Sequence, residues 1–405
     1  MYTEDNENVI DFTGYSYNIS SLDRIDESEK YIKQAVKKVK IRRFLFFASL
    51  IVLAALSAFL VALYIYYRGY TGFTVKYSRI KSDVFAEYES FSNGLIRYGK
   101  DGAIFIDKTG KERWNEGYHM KHPIIDTNGS FSTIADLNGN TVCIFDESGK
   151  MCPPINIALP VSGVRISENG VLMVVSEDDG SSYIDFYSKE GNELAKGKYP
   201  LDKNRFPSCF DISKNGRRAA IAFVYYDKAK IYSQIAILGF DKSDVSKPNN
   251  VIFSKDLGAA LPLDVKYVQN DDLVILTGEA LNVLENNSDE INFSIPLGNT
   301  VKSVLYNDYE IVVVQKKEGG STADFYDYSG KKLSSPVLKI KYKNILLNRE
   351  FLVLADEYEM QILNRNGKLR FSKAMGNSIR DIKAMGDKKS YLIMYENKLE
   401  AITLH

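Results

Sequence analysis

Apolar and polar residues alternate along this chain in two regimes that meet near residue 72. In the first, Phe44 to Tyr67 reads FLFFASLIVLAALSAFLVALYIYY, twenty-four residues without a charge. At a rise of roughly 1.5 Å per residue such a helix covers about 36 Å, enough to cross a hydrocarbon core of roughly 30 Å with some tilt. In the second regime, short runs of Val, Ile, Tyr and Phe are cut every 8 to 12 residues by Asn, Asp, Gly and Ser, which is the pattern of strands joined by tight turns. The prediction is an all-β domain over 68–405 behind one transmembrane helix at 44–67.

The flanks of the apolar run orient it. Lys30, Lys33, Lys37, Lys38, Lys40, Arg42 and Arg43 precede it, whereas only Arg68 and Lys76 follow closely. The positive-inside bias therefore places residues 1–43 in the cytoplasm and the β domain outside the cell. The run is too long for the apolar core of a signal peptide and ends in aromatic residues, so it reads as an uncleaved anchor. Lys37, Lys38, Lys40, Arg42 and Arg43 on one side, and Tyr64, Tyr66 and Tyr67 on the other, are the expected membrane-interface residues. Upstream, Ile25, Ile32, Val36 and Val39 recur at helical spacing, and Asp26 with Lys30 and Glu29 with Lys33 are i,i+4 ion pairs, predicting a basic juxtamembrane helix over 22–43. Residues 1–21 are acidic and poor in aliphatic side chains, and are expected to be a disordered tail.

One hairpin recurs in the β domain: AIFIDKTGKERW from Ala103, TVCIFDESGKMC from Thr141, YIDFYSKEGNEL from Tyr183, ADFYDYSGKKLS from Ala323 and MQILNRNGKLRF from Met360. Aligned on Gly110, Gly149, Gly191, Gly330 and Gly367, the residue three places earlier is Asp107, Asp146, Ser188, Asp327 or Asn364. Asp, Asn or Ser opening a type I turn accepts backbone hydrogen bonds, and Gly at the fourth position tolerates the left-handed conformation that re-enters the next strand. These are structural blade-turn residues.

The glycine spacings are 39 (110 to 149), 42 (149 to 191) and 37 (330 to 367), while the 139-residue gap from 191 to 330 is close to three such periods. Two hidden units are assigned there, at Phe206–Asp256 and Leu263–Pro296. Periods of roughly 40 to 45 residues with four strands each describe the blades of a β-propeller. After Met375 three strand-like runs remain, SIRDIKAMG, SYLIMYEN and KLEAITL. The segment GFTVKYSRI from Gly72 is predicted to supply the fourth, so that 72–80 and 377–405 form one closing blade. The count is then eight, or seven if 206–297 holds fewer units.

Charge excludes some roles. Lys plus Arg equals Asp plus Glu at 52 each, so no net field recommends nucleic acid as a partner. Three cysteines, Cys143, Cys152 and Cys209, are too few for a disulfide framework; Cys143 and Cys152 are expected as buried thiols. His119 and His122 in GYHMKHP, with Asp126 nearby, lack a third nitrogen or sulfur ligand, and DLNGN at Asp136–Asn140 lacks the glutamate that completes a calcium loop. Both are read as loops, so no metal ligand and no catalytic residue is nominated. No GxSxG, HExxH or P-loop motif occurs in the β domain. The 27 tyrosines are expected mainly between blades, where aromatic residues suit pleated surfaces. His405 is assigned no role.

The strand, Asp-x-x-Gly-Lys turn, strand unit, with Trp114 closing the first copy, resembles the repeat of quinoprotein-like β-propellers over most of 82–376. Tail, single span and propeller together resemble single-pass proteins of low-GC Gram-positive bacteria, a group without an established activity. The resemblance implies the fold. Quinone-dependent members hold their cofactor with a vicinal cysteine pair, which is absent here, so no cofactor is expected. The expected role is non-enzymatic: an extracytoplasmic module, integral to the lipid bilayer through its helix, that binds an envelope protein or wall glycan. A transmembrane sensor, or a wall-active enzyme with a channel site, are the alternatives.

Overall fold

The computed structural model describes residues 19–405 apart from 81–85, 179–180, 201–204, 242–243, 245–249, 287 and 289. The chain divides into two compact units, 1–68 and 69–405. The first is built on one continuous helix, Ile19–Tyr67. The two predicted helices, 22–43 and 44–67, are therefore one, because nothing between Arg43 and Phe44 breaks the helical hydrogen-bond ladder. The predicted disordered tail lies mostly outside the described residues, and its last three, 19–21, already belong to the helix. A stretch of this helix, Ile32–Val61, is long and apolar enough to cross a membrane.

The described residues of the second unit form eight antiparallel sheets. Seven follow one another along the chain as blade 1 (87–117), blade 2 (123–156), blade 3 (161–200), blade 4 (205–258), blade 5 (262–296), blade 6 (301–338) and blade 7 (344–374). In blade 8 the order is Phe73–Ile80, Lys398–Leu404, Ser390–Tyr395, Ile379–Ala384. The fold is an eight-bladed β-propeller closed by its first strand. Phe73 pairs with Leu404 and Ile80 with Lys398, and the backbone of His405 hydrogen-bonds to Thr71 and Gly72. His405, given no role from sequence, thus helps fasten the ring. The hidden units at 206–256 and 263–296 are blades 4 and 5, which fixes the count at eight.

In blades 1 to 7 the strands run outward in chain order, in blade 8 Ile379–Ala384 is innermost and Phe73–Ile80 outermost, and the innermost strands of neighbouring blades lie beside one another around the axis. Every blade packs on two others, so its middle strands are apolar on both faces, as in LMVVS of blade 3 and IVVVQ of blade 6. Eight apolar clusters fill the eight seams. One joins Val142 and Ile144 of blade 2 to Val164 and Val174 of blade 3; another seals the ring by packing Leu95 of blade 1 on Met385, Leu392 and Leu399 of blade 8. Tyr98, Tyr187, Tyr267, Tyr328, Tyr391 and Tyr395 are buried. The outermost strands of blades 2 and 6 are each split into two short pieces, with Pro153 and Pro154, or Pro336, in the gap; a residue without an N–H is tolerated at an edge.

Candidate functional site: the channel and the blade 4 rim

The blade turns are built on one plan in four of the five repeats. In blade 1, Thr109 and Lys111 N–H donate to Asp107 Oδ1 at 2.8 and 3.1 Å, and Gly110 N–H donates to Asp107 O at 2.9 Å. Gly110 sits at φ +87°, where a side chain is strained. Burial alone would raise the Asp107 carboxyl, but these bonds and that from Arg113 outweigh it and hold the group below the ordinary range. Ser188 with Gly191, Asp327 with Gly330 and Asn364 with Gly367 make the same carbonyl-to-glycine bond. Blade 2 differs: Asp146 pairs directly with Gly149, so this turn is one residue tighter and Gly149 already belongs to the next strand. Trp114 spans the seam to that turn, donating Nε1–H to Asp146 O at 3.0 Å and stacking on Phe145 at 5.1 Å.

The other singled-out residues are scattered. Lys37, Lys38, Lys40, Arg42, Arg43 and Tyr64 are exposed along the helix, and Tyr66 and Tyr67 are its last two residues. His119 Nδ1 meets Asp101 Oδ1 at 3.2 Å in the open. His122 is engaged through its backbone, its N–H donating to Asp136 Oδ1 and its carbonyl accepting from Leu137 N–H. Among the described residues no group of three or more His, Cys, Asp or Glu side chains is arranged to hold a metal ion. Cys143 and Cys152 are buried free thiols, and burial pushes Cys143 up to about 11.

Two features could engage a ligand or partner. The first is a cavity of about 480 Å³ in the channel, lined by Glu89, Asp126, Arg165, Asp211, Asp264 and Lys266 from the innermost strands of blades 1 to 5, with Lys214 and Asp308 from inner turns. Neighbouring blades fix the carboxylates: Ile166 N–H of blade 3 donates to Asp126 Oδ2 at 2.8 Å, and Tyr267 N–H of blade 5 to Asp211 Oδ2 at 2.7 Å. Arg165 Nε lies 3.8 Å from Asp211 Oδ1. Burial, reinforced by repulsion from Asp126, pushes Asp211 up to about 7, against the pull of Tyr267 N–H, Arg165 and Lys266. Asp126 is raised as well, again chiefly by burial. Lys214 Nζ bridges Asp308 at 2.6 Å and Glu168 at 3.3 Å, tying blades 3, 4 and 6 together.

The second is a rim feature of blade 4. Its middle strands, Arg218–Asp227 and Lys230–Gly239, are ten residues each, against five to seven in the other blades. On the face turned to blade 5, Ala220, Ala222, Ile235 and Ile237 are covered by Val265 and Tyr267. Farther along that face come Phe206, paired with Val224, and Tyr226, paired with Ile231, and they overhang blade 5. Phe206, Tyr226 and Ile231 are exposed, as are Leu261 and Leu263 at the start of blade 5. On the opposite face Tyr225 stacks on Tyr232 at 5.8 Å, with Arg205 over Tyr225. Lys228 and Lys230 flank the hairpin tip, exposed.

The sequence pattern of a family of unknown function, DUF5711, matches residues 66–404. This chain belongs to that family. Comparison with curated proteins gave no match. Among solved structures, BamB from Moraxella catarrhalis superposes with a TM-score of 0.52 at 13% identity, covering 82% of this chain and 100% of that one. Saccharomyces cerevisiae Sqt1 gives 0.50 at 12%, covering 84% and 99%. The WD40 domain of SCAP from fission yeast gives 0.50 at 12%, covering 82% and 98%. At such identities the likeness shows the propeller fold alone.

Sequence reading nominated neither feature, yet both leave a trace in it. Arg165, Asp211, Lys266 and Lys383 each stand next to last in an innermost strand, in VRIS, FDIS, VKYV and IKAM. A charge recurring in the first strand of successive units marks the axis. The overhang is legible in RAAIAFVYYDKAKIYSQIAILG, an unusually long hairpin for this repeat.

Proposed function

We propose that this chain is a membrane-anchored, non-enzymatic binding module whose propeller docks a protein of the cell envelope through the blade 4 overhang. The observation that supports this reading most directly is the shelf of Phe206, Tyr226, Ile231, Leu261 and Leu263, left in solvent by a hairpin longer than its neighbours. Fold stability does not require it, since the same sheet face is already covered lower down by blade 5. An apolar centre beside exposed Lys228 and Lys230 has the anatomy of a protein interface, a dry core with a polar rim. Aliphatic Leu261, Leu263 and Ile231 suit a protein better than a glycan, which stacks on flat rings. The apolar helix would hold the module at the membrane, with the basic cluster keeping the N-terminal side in the cytoplasm.

The test is crosslinking of the full-length, membrane-inserted protein in cells, comparing the parent with Leu263→Asp and Tyr226→Ser. A control, Leu194→Asp, alters an equally exposed leucine on blade 3. Proteins crosslinked to the parent and the control should be lost from both shelf variants. An identical profile for all four would remove the shelf as the contact surface.

A further inference from the structure

The channel cavity carries a second binding capacity, independent of the shelf. Four of the eight charged residues that line it are already engaged. Lys214 is neutralised by Asp308 and Glu168, Glu89 faces Lys383 at 3.5 Å, and Asp264 accepts the Tyr306 hydroxyl. Four groups remain under-used. Asp126 and Asp211 each have one oxygen held by a backbone N–H, and their other oxygens accept no hydrogen bond among the described residues. Arg165 donates Nη1–H to the Val164 carbonyl at 2.9 Å and lies over Phe210, with its Nε at long range from Asp211. Lys266 is exposed on the same wall with no hydrogen bond or ion pair among the described residues.

The groups left to a ligand are thus two carboxyls, whose ionised forms burial disfavours until a cation arrives, and two cations, facing a cavity of about 480 Å³, within the usual range of small-ligand sites. A simple cation would meet Arg165 and Lys266, and a simple anion would meet Asp126 and Asp211; either leaves one pair of charges opposed. A molecule carrying both signs satisfies all four. The geometry points to a site for a small zwitterion with a free ammonium and a free carboxylate, an amino acid or short peptide, its ammonium on Asp126 and Asp211 and its carboxylate on Arg165 and Lys266. The carboxylates are positioned in advance by the neighbouring blades, so little reordering accompanies binding.

The test is calorimetric titration of the full chain in detergent with alanyl-alanine, N-acetyl-alanyl-alanine and alanyl-alanine amide. The dipeptide should bind saturably, and each capped form at least tenfold more weakly. Asp211→Asn removes the charge but keeps an acceptor for Tyr267 N–H, and Lys266→Gln alters an exposed side chain; each should weaken the dipeptide at least tenfold without changing the melting temperature by more than a few degrees. Equal binding of the capped forms, an absence of saturable binding, or parent-like affinity in both variants would each overturn the assignment. Tighter binding of inorganic phosphate or of ethylamine than of the dipeptide would do the same, by showing that one sign alone is recognised.

Discussion

Glu310 offers a direct test of what burial does to charge in this ring. It sits in the first turn of blade 6, fully buried, with Arg365 of blade 7 at 3.2 Å from its Oε2. Two forces compete: burial disfavours the ionised form, and the guanidinium favours it. Burial wins, helped by repulsion from Glu350, and the carboxyl is pushed up to about 7 from its ordinary 4.5. A carboxyl that holds its proton more tightly in the folded chain contributes stability that is full below the unfolded pKa and lost as pH rises through the folded one. The loss should therefore fall between about pH 4.5 and 7. A shift of about 2.5 units at about 1.4 kcal/mol each gives roughly 3 kcal/mol. Glu310→Gln keeps the neutral shape, so it should match the parent at pH 4 and exceed it at pH 8. With an unfolding entropy of about 2 cal/mol/K per residue, the gain amounts to roughly 4 °C for the propeller unit. The assay is thermal unfolding of the full chain in detergent at both pH values, read by circular dichroism. A variant that melts below the parent at pH 8 would show that the Arg365 ion pair outweighs burial, and the reasoning would fail.

Three further outcomes follow from the packing. Removing residues 390–405 takes two strands from blade 8 and leaves Phe73–Ile80 without its partner, so the truncated chain should lose its cooperative melt; unchanged unfolding would disprove closure by these strands. At Gly386, φ +75°, a Cβ would lie 1.9 Å from the Ser92 carbonyl oxygen across the seam between blades 8 and 1. Gly386→Ala should then cost about 2–4 kcal/mol, measured as a lowered melting temperature, whereas Gly298→Ala, with nothing within 4 Å, should be near neutral. Trp114→Ala should cost about 3–5 kcal/mol by emptying the seam under Phe145, and Trp114→Phe about 1 kcal/mol for the lost bond to Asp146; equal losses from the two would mean that the hydrogen bond dominates.

Much of the architecture was legible because it rests on local chemistry that repeats. Asp107 through Asn364 recur with their glycines, and turn residues speak without knowledge of the tertiary structure. Closure by 72–80 was legible by arithmetic, since three strands at the end call for a fourth. The tighter turn at Gly149 was hidden because the same four residues, Asp-Glu-Ser-Gly, are compatible with both loop lengths. The channel charges were missed for a different reason. Asp126, Asp211 and Asp264 come from three blades and converge only when the ring is closed, so no window of sequence contains two of them. Asp126 was even grouped with the wrong neighbours, His119 and His122, since closeness along the chain says little once a strand turns inward. The shelf escaped notice because Tyr226 and Leu263 look like ordinary strand residues until the reach of blade 5 is known.

The pairing of Phe73–Ile80 with Lys398–Leu404 also imposes a timetable. An early-synthesised strand must wait, its backbone groups unclaimed, while more than three hundred residues are made after it. The seams between blades 1 and 7 can form in turn as successive blades emerge, but the final seam has no counterpart until 398–404 appear. During that interval the orphan strand is the segment most open to chaperones, proteases and mispairing, so the vulnerable moment in the life of this molecule falls before its completion.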